Sequence, residues 1–390
     1  MRILLCPLND PGYTYPALRV GSDLRRRGHE VCLLGDEAAA ASAAAARTEF
    51  VQAEQFGAPP MTFRASRWSK RGLEQFQTVL RAAKSLRADL LLTSVLCQGA
   101  LLAAEVLDLP VVVLGLAAHL WTYRAGAEQE PEEPVCRQWR ENSMLRVYQE
   151  IRESAGLAPR HEAWPLRPLL GSGLLLRGHP ALEYPGGVLP PGVHHVGPCL
   201  WEPPAGPGEL AAVTAALDAV GKPVVYTHLG RTFHDDGMWP RINAAFSGGP
   251  FQAVVELGRT GDPLPAAGAD LVLVRKRLMG PLIDRSDLVL TNATSAPVLM
   301  GLCRGRPLLV APAGSEQPLL AEACIRAGVA VRFPQDLRTD GAQVLGAAHA
   351  DPALRSRAEK LGADLALLDR SERAADLVEA AANKSLFDEN

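Results

Sequence analysis

Apolar residues along this chain gather in short runs bounded by Gly, Pro, Asn and Asp. In the first half the runs are Arg2–Leu8, Glu30–Gly35, Asp89–Thr93 and Pro110–Leu114. Runs of this length predict strands buried on both faces, the habit of a parallel sheet. Between them lie stretches of helical period, about Tyr15 to Arg27, closed by Gly28, and the alanine-rich Gln98–Leu107. Repeated βαβ order predicts one parallel sheet with right-handed crossovers. A second series runs through Val224–Leu229, Phe251–Leu257, Leu271–Val274, Asp287–Thr291 and Pro307–Ala311, and helices near 352–368 and 371–383 end the pattern.

Two stretches interrupt it. Residues 121–170 carry three Trp and an acidic run, Gly126–Pro134, before a helical stretch near Arg137–Ser154. An insertion at that place is either a substrate-shaping lid or a plain surface helical pair. Residues 180–208 are dense in Pro and Gly and read as a linker, which puts a domain boundary near 200. The expected domains are 1–200 and 201–370, with a helix in 371–390 returning to the first. Two Rossmann-like parallel-sheet domains facing across a cleft suit two-substrate chemistry, since each domain holds one partner.

With 390 residues the chain exceeds one ordinary core, and a formal charge of −3 argues against a nucleic-acid partner. The seven cysteines include no CxxC pair, which suggests free, buried thiols in a reducing, cytoplasmic setting. No apolar run reaches the length of a membrane span.

The stretch 287–330 carries most of the chemistry. There two strand–loop–helix units follow one another. The first passes through Asn292-Ala293-Thr294-Ser295-Ala296-Pro297, and the second through a Gly-Ser turn bearing Glu316 and Gln317. Helix amino termini at the carboxyl ends of parallel strands favour anions such as pyrophosphate. Ser295 reads as an N-cap with Pro297 just inside the helix. A carboxylate beside an amide, as in Glu316-Gln317, suits vicinal diols.

The order of these features resembles family 1 (UDP-glycosyltransferase-like) glycosyltransferases of the GT-B fold, as found among bacterial natural-product enzymes. The opening strand, Pro16 and Arg27-Gly28-His29-Glu30 fit that family's amino terminus. The resemblance implies an acceptor-binding first domain and a nucleotide-sugar-binding second one. It also implies that Glu316 and Gln317 hold the donor hexose. The segment Tyr226–Thr232 stands at the family's phosphate loop, where Gly230 and Arg231 would meet phosphate. Thr294, Ser295 and Ala296 would meet the same anion.

The chain departs from the family at four places. Tyr13 replaces the basic histidine, and a phenol is a poor base at neutral pH. Ser94 replaces the aspartate that orients it. Asn292 replaces the histidine on the pyrophosphate, and Met300 the ribose-binding glutamate. Asp10 and His119, both predicted on strand-end loops, are the substitute bases, although Asp10 could equally be a turn residue and His119 a packing residue. His194 and His195 are adjacent and lack further ligands, so no metal site is expected.

The leading expectation is an atypical glycosyltransferase that moves a sugar from a nucleotide diphosphate donor to a small hydrophobic acceptor. The nucleotide sugar is a co-substrate and no cofactor is expected. The alternatives are a catalytically silent homologue, acting as a binding module, homodimer or support for a partner transferase, and a GT-B scaffold recruited to another reaction.

Overall fold

A computed structural model describes residues 1–126, 133–160, 166–230, 238–257, 265–275 and 278–383, with backbone alone for 133–136. The chain divides into two units, Met1–Pro203 with the segment from Leu368, and Pro204–Leu367.

The first unit runs β1 (Arg2–Cys6), α1 (Pro11–Arg26), β2 (Glu30–Gly35), α2 (Ala40–Ala45), β3 (Glu49–Gln52), α3 (Gly72–Leu86) and β4 (Leu90–Ser94). It continues with α4 (Gln98–Leu107), β5 (Val111–Leu114), α5 (Glu133–Ser154), β6 (Gly173–Leu176) and β7 (Val193–His195). The strands lie in the order β3-β2-β1-β4-β5-β6-β7, and each pairs with its neighbours in parallel. The central strands are buried along nearly their whole length, which is why they read as apolar runs.

Composition hid β7. It lies inside the stretch read as a linker, yet it forms the edge of the sheet beside β6. A three-residue edge strand needs few ladder bonds, so Pro190, Pro191 and Pro198 do not bar it. Helix α5 packs on α3 and α4. It buries Met144, Val147, Tyr148 and Ile151, and Gln98 Nε2 donates to the Met144 carbonyl at 3.0 Å. These contacts favour the surface-helix reading of the insertion. Most of its acidic run lies outside the described residues.

The second unit runs α6 (Pro207–Val220), β8 (Val224–His228), α7 (Met238–Phe246), β9 (Gln252–Glu256), β10 (Leu271–Val274), α8 (Met279–Asp284) and β11 (Leu288–Thr291). After these come α9 (Ser295–Cys303), β12 (Leu308–Val310), α10 (Gln317–Arg326), β13 (Ala330–Arg332), α11 (Gly341–Ala350) and α12 (Pro352–Arg370). Its sheet order is β10-β9-β8-β11-β12-β13, again parallel throughout.

The division between units falls within α12, and the last helix, α13 (Arg373–Asn383), belongs to the first unit. Ala374, Ala375, Val378 and Ala381 on α13 join the core that holds Leu18, Leu24, Leu92 and Leu114. Arg27 braces it from outside, reaching Asp376 at 2.7 Å and Glu379 at 3.0 Å. Among the described residues no helix is long and apolar enough to cross a membrane.

Candidate functional site

Each sheet contains the strand order 3-2-1-4-5-6, so the chain changes direction between β1 and β4 and again between β8 and β11. Open α/β sheets bind ligands outside the carboxyl ends of the strands at such a point. The residues singled out in the sequence can therefore be placed against two switch points, one per unit.

In the first unit the loop after β1 is pinned by Ser94. Its Oγ accepts the Leu8 backbone N–H at 3.0 Å, so this side chain serves the backbone. Helix α1 starts at Pro11, four residues before the predicted Tyr15. Proline suits the first helical position because its missing N–H is not needed there, and Asp10 before it is extended. Gly12 and Tyr13 consequently sit in the first helical turn, and Tyr13 donates its backbone N–H to the Asp10 carbonyl at 2.8 Å. The Tyr13 side chain is half-buried. Asp10 is buried at the helix start. Its Oδ2 accepts the Ala65 N–H at 2.6 Å, and Arg64 lies 3.9 Å from Oδ1.

His119 does not present a base to this edge. The ring has no exposed surface and packs against Trp121 and Tyr123, with centroids 5.7 and 5.6 Å away. Nε2 lies 3.4 Å from the Thr122 carbonyl. Burial, reinforced by the Arg137 charge, pushes its pKa down to about 3, so it stays neutral and weakly basic near pH 7. Its backbone N–H donates to Glu183, which also accepts the Tyr123 hydroxyl at 2.6 Å. The geometry favours the packing reading of His119, in a buried brace, over the reading as a substitute base.

In the second unit Asn292 ties the two loops of the switch point together. Its Nδ2 donates to the Leu229 carbonyl at 2.9 Å, and its Oδ1 accepts the Thr294 N–H at 3.3 Å and hydroxyl at 3.1 Å. Ala293, between them, takes a left-handed conformation with φ of 62°. The N-cap of α9 is Thr294, one residue before the predicted Ser295, and the Thr294 side chain makes no capping hydrogen bond. Ser295 is buried and Ala296 partly exposed in the first turn. Met300 is buried, its sulfur 2.8 Å from Arg304 Nη1, which fits a packing role.

Glu316 is half-buried at the start of α10, beside the Ser315 hydroxyl. Gln317 is turned inward. Its Oε1 accepts the Ala313 N–H at 2.8 Å and the Gly314 N–H at 3.3 Å, so the amide carbonyl shapes the loop. Gly230 has φ of +53°, and a Cβ there would lie 2.9 Å from Asn292 Nδ2. Arg231, with Asp235 and Asp236, lies outside the described residues.

A cluster that the sequence reading passed over completes this edge. Tyr226 and His228 share one face of β8 because strand side chains alternate, and His228 stands in register with Glu256 on β9. The Tyr226 hydroxyl donates to Glu256 Oε2 at 2.7 Å, and His228 Nδ1 lies 3.8 Å from Glu256 Oε1. Twenty-eight residues separate His228 from Glu256, so only strand pairing joins them. Among the described residues no group of three or more His, Cys, Asp or Glu side chains is arranged to hold a metal.

No protein-family model matches the chain. Two curated proteins are similar over part of it. 4'-Demethylrebeccamycin synthase of Lentzea aerocolonigenes is 29% identical over 221 residues, 53% of this chain and 49% of that protein. NDP-glycosyltransferase YjiC of Bacillus subtilis (strain 168) is 25% identical over 177 residues, 43% of this chain and 44% of that protein. The chain thus spans about half the length of the curated relatives it matches. Solved structures align over nearly all of it. The glycotransferase of kitacinnamycin has a TM-score of 0.76 at 20% identity, covering 98% of this chain and 99% of its own.

The fold is GT-B. Glycosyltransferase VinC in complex with DTDP agrees, with a TM-score of 0.67 at 15% identity over 98% of this chain and 100% of that one. The GT-B chain resembles family 1-like glycosyltransferases of bacterial natural-product biosynthesis.

Proposed function

We propose that this protein is a glycosyltransferase that moves a sugar from a nucleotide diphosphate donor to a small hydrophobic acceptor. One observation carries the reading. The amino terminus of α9 and the half-buried Glu316 at the start of α10 lie after neighbouring strands of one parallel sheet. A helix amino terminus favours a diphosphate, and a carboxylate beyond it suits sugar hydroxyls. The similarity to a protein named for an NDP donor, and the DTDP of VinC, support the same donor class.

In this reading the acceptor oxygen attacks the anomeric carbon as the bond from that carbon to the diphosphate oxygen breaks. The acceptor proton passes to Asp10, or has already left when the acceptor is a phenol or enol. The nucleotide sugar is a co-substrate, no further cofactor takes part, and the setting is a reducing cytoplasm. Calorimetric titration with UDP, TDP, GDP and a panel of nucleotide sugars tests it. Binding at micromolar affinity with a rise in Tm is expected. Failure of every nucleotide to bind overturns it.

A further inference from the structure

Resting on the proposed transferase activity, we propose that Asn9 and Asp36 form an acceptor subsite for a vicinal diol, so that the acceptor carries a sugar or polyol beside its apolar body. The two residues follow the paired strands β1 and β2 at their carboxyl ends, the edge where such sheets take ligands. Gly35 brings them together. A Cβ there would stand 3.0 Å from Asn9 Oδ1 and 3.1 Å from Nδ2, so the amide lies across the last residue of β2. The loop before α3 covers the pair. Asn9 donates its backbone N–H to the Phe63 carbonyl at 2.8 Å, and Ala65 donates its own to Asp10 at 2.6 Å. Asn9 is 5% exposed and Asp36 6% exposed, yet none of their four side-chain polar atoms has a hydrogen-bond partner among the described residues. The neighbouring Glu37 and Ala38, and Pro60 and Met61 in the covering loop, are exposed, so the pair lies just beneath the surface.

Burial is the main force raising the Asp36 pKa above the ordinary aspartate value, and the charge of Glu54 adds to it. The Asn9 amide and the Phe63 backbone N–H lie near enough to favour the carboxylate, and Arg64 adds positive charge. Neither the amide nor that N–H meets the carboxylate in hydrogen-bonding geometry. A carboxylate so placed gains from donated hydrogen bonds, and the amide beside it offers both donors and an acceptor. Adjacent sugar hydroxyls fit that set, since each can donate and accept. A nucleotide ribose presents the same diol. The turn after β1, Pro7–Gly12, however, lacks the Gly-x-Gly-x-x-Gly spacing that lets a pyrophosphate approach such a sheet. The diol therefore belongs to the acceptor.

Titration calorimetry on the full chain tests the assignment with arbutin, a phenol bearing glucose, and hydroquinone monomethyl ether, which has methyl in place of that sugar. Wild type should bind arbutin roughly 10- to 100-fold more tightly, the range of one hydrogen bond to a charged group. Hydroquinone monohydroxyethyl ether, with a single alcohol, should bind like the methyl ether. Asp36→Asn and Asn9→Ala, each shown to be folded by its melt, should bring arbutin down to the level of the methyl ether and leave UDP affinity as in wild type. Glu316→Ala should keep the preference. Equal wild-type affinity for arbutin and the methyl ether, or binding of neither, overturns the assignment and needs no variant to be folded. A folded Asp36→Asn protein that keeps the preference overturns it too, as does a single alcohol that matches arbutin. Loss of the preference in Glu316→Ala would seat the glucose on the donor side and has the same effect. UDP that binds while the preference is absent leaves the transferase reading standing. UDP that fails to bind overturns that reading, and the arbutin comparison alone decides the diol site.

Discussion

Asn292 Nδ2 donates to the carbonyl of Leu229 at 2.9 Å, joining the loop after β11 to the loop after β8. The first unit has a counterpart, with Ser94 after β4 holding Leu8 after β1 at 3.0 Å. In both units a short polar side chain at the switch point fixes backbone.

Asn292→Ala removes a buried donor and an acceptor that serves Thr294. Leu229 would keep a buried carbonyl without that partner, a cost of about 1–3 kcal/mol. Chemical denaturation should show that loss, with weaker nucleotide binding because the start of α9 is no longer held. Unchanged stability would mean water replaces the amide.

Glu316→Ala should weaken a nucleotide sugar roughly tenfold or more, while the free nucleotide diphosphate binds nearly as before. The carboxylate sits at the start of α10, beyond the loop assigned to phosphate. Parallel calorimetry with the sugar nucleotide and its parent diphosphate checks this. Equal losses would place Glu316 away from the sugar.

Asp10→Asn keeps an oxygen for the Ala65 N–H but cannot take a proton. With a neutral alcohol acceptor, kcat should drop ~10²–10⁴-fold. Tyr13→Phe should retain most activity. Steady-state rates on an alcohol and on a phenol separate the cases, because a phenol needs little help. Loss of activity in Tyr13→Phe alone would return the base to position 13.

Acid should loosen the first unit. Burial holds His119 at about 3 and His195 at about 4 in the folded chain, below the ordinary histidine value. Their unfolded forms take up protons first as pH falls. The stability tied to neutral rings is therefore complete above about pH 6.5 and is lost as pH falls through 4 and 3. His119→Phe should flatten the drop in Tm between about pH 6.5 and 4 relative to wild type. An unchanged slope would mean that the ring is solvated.

Much of the fold was legible because buried parallel strands leave continuous apolar runs, as at Leu90–Ser94 and Leu288–Thr291. The edge strand Val193–His195 was not legible, since its neighbours are prolines and its pairing lies with a distant strand. The helix start at Pro11 was read late because Asn-Asp-Pro-Gly spells a turn as readily as a cap. Asp10 and Asn292 could be placed on strand-end loops because such loops are short and can be counted. For His119 the sequence left a base and a packing residue both open, because the aromatic packing that buries it comes from Trp121 and Tyr123 beside the ring. The pairing of His228 with Glu256 exists only across adjacent strands, so no local spacing announces it.

The division at Leu367/Leu368 has a consequence for synthesis. The ribosome delivers β1–β7 first, but the helix that seals their core is the last to emerge. Until Ala374, Ala375, Val378 and Ala381 arrive, Leu18 and Leu24 face an unfilled groove, while the whole second unit is still being made. The amino-terminal half is thus made before the helix that completes its core, and apolar surface left exposed at that stage invites chaperone capture. A nascent chain stalled before residue 371 would be held by such factors, and release would follow only when the final helix docks.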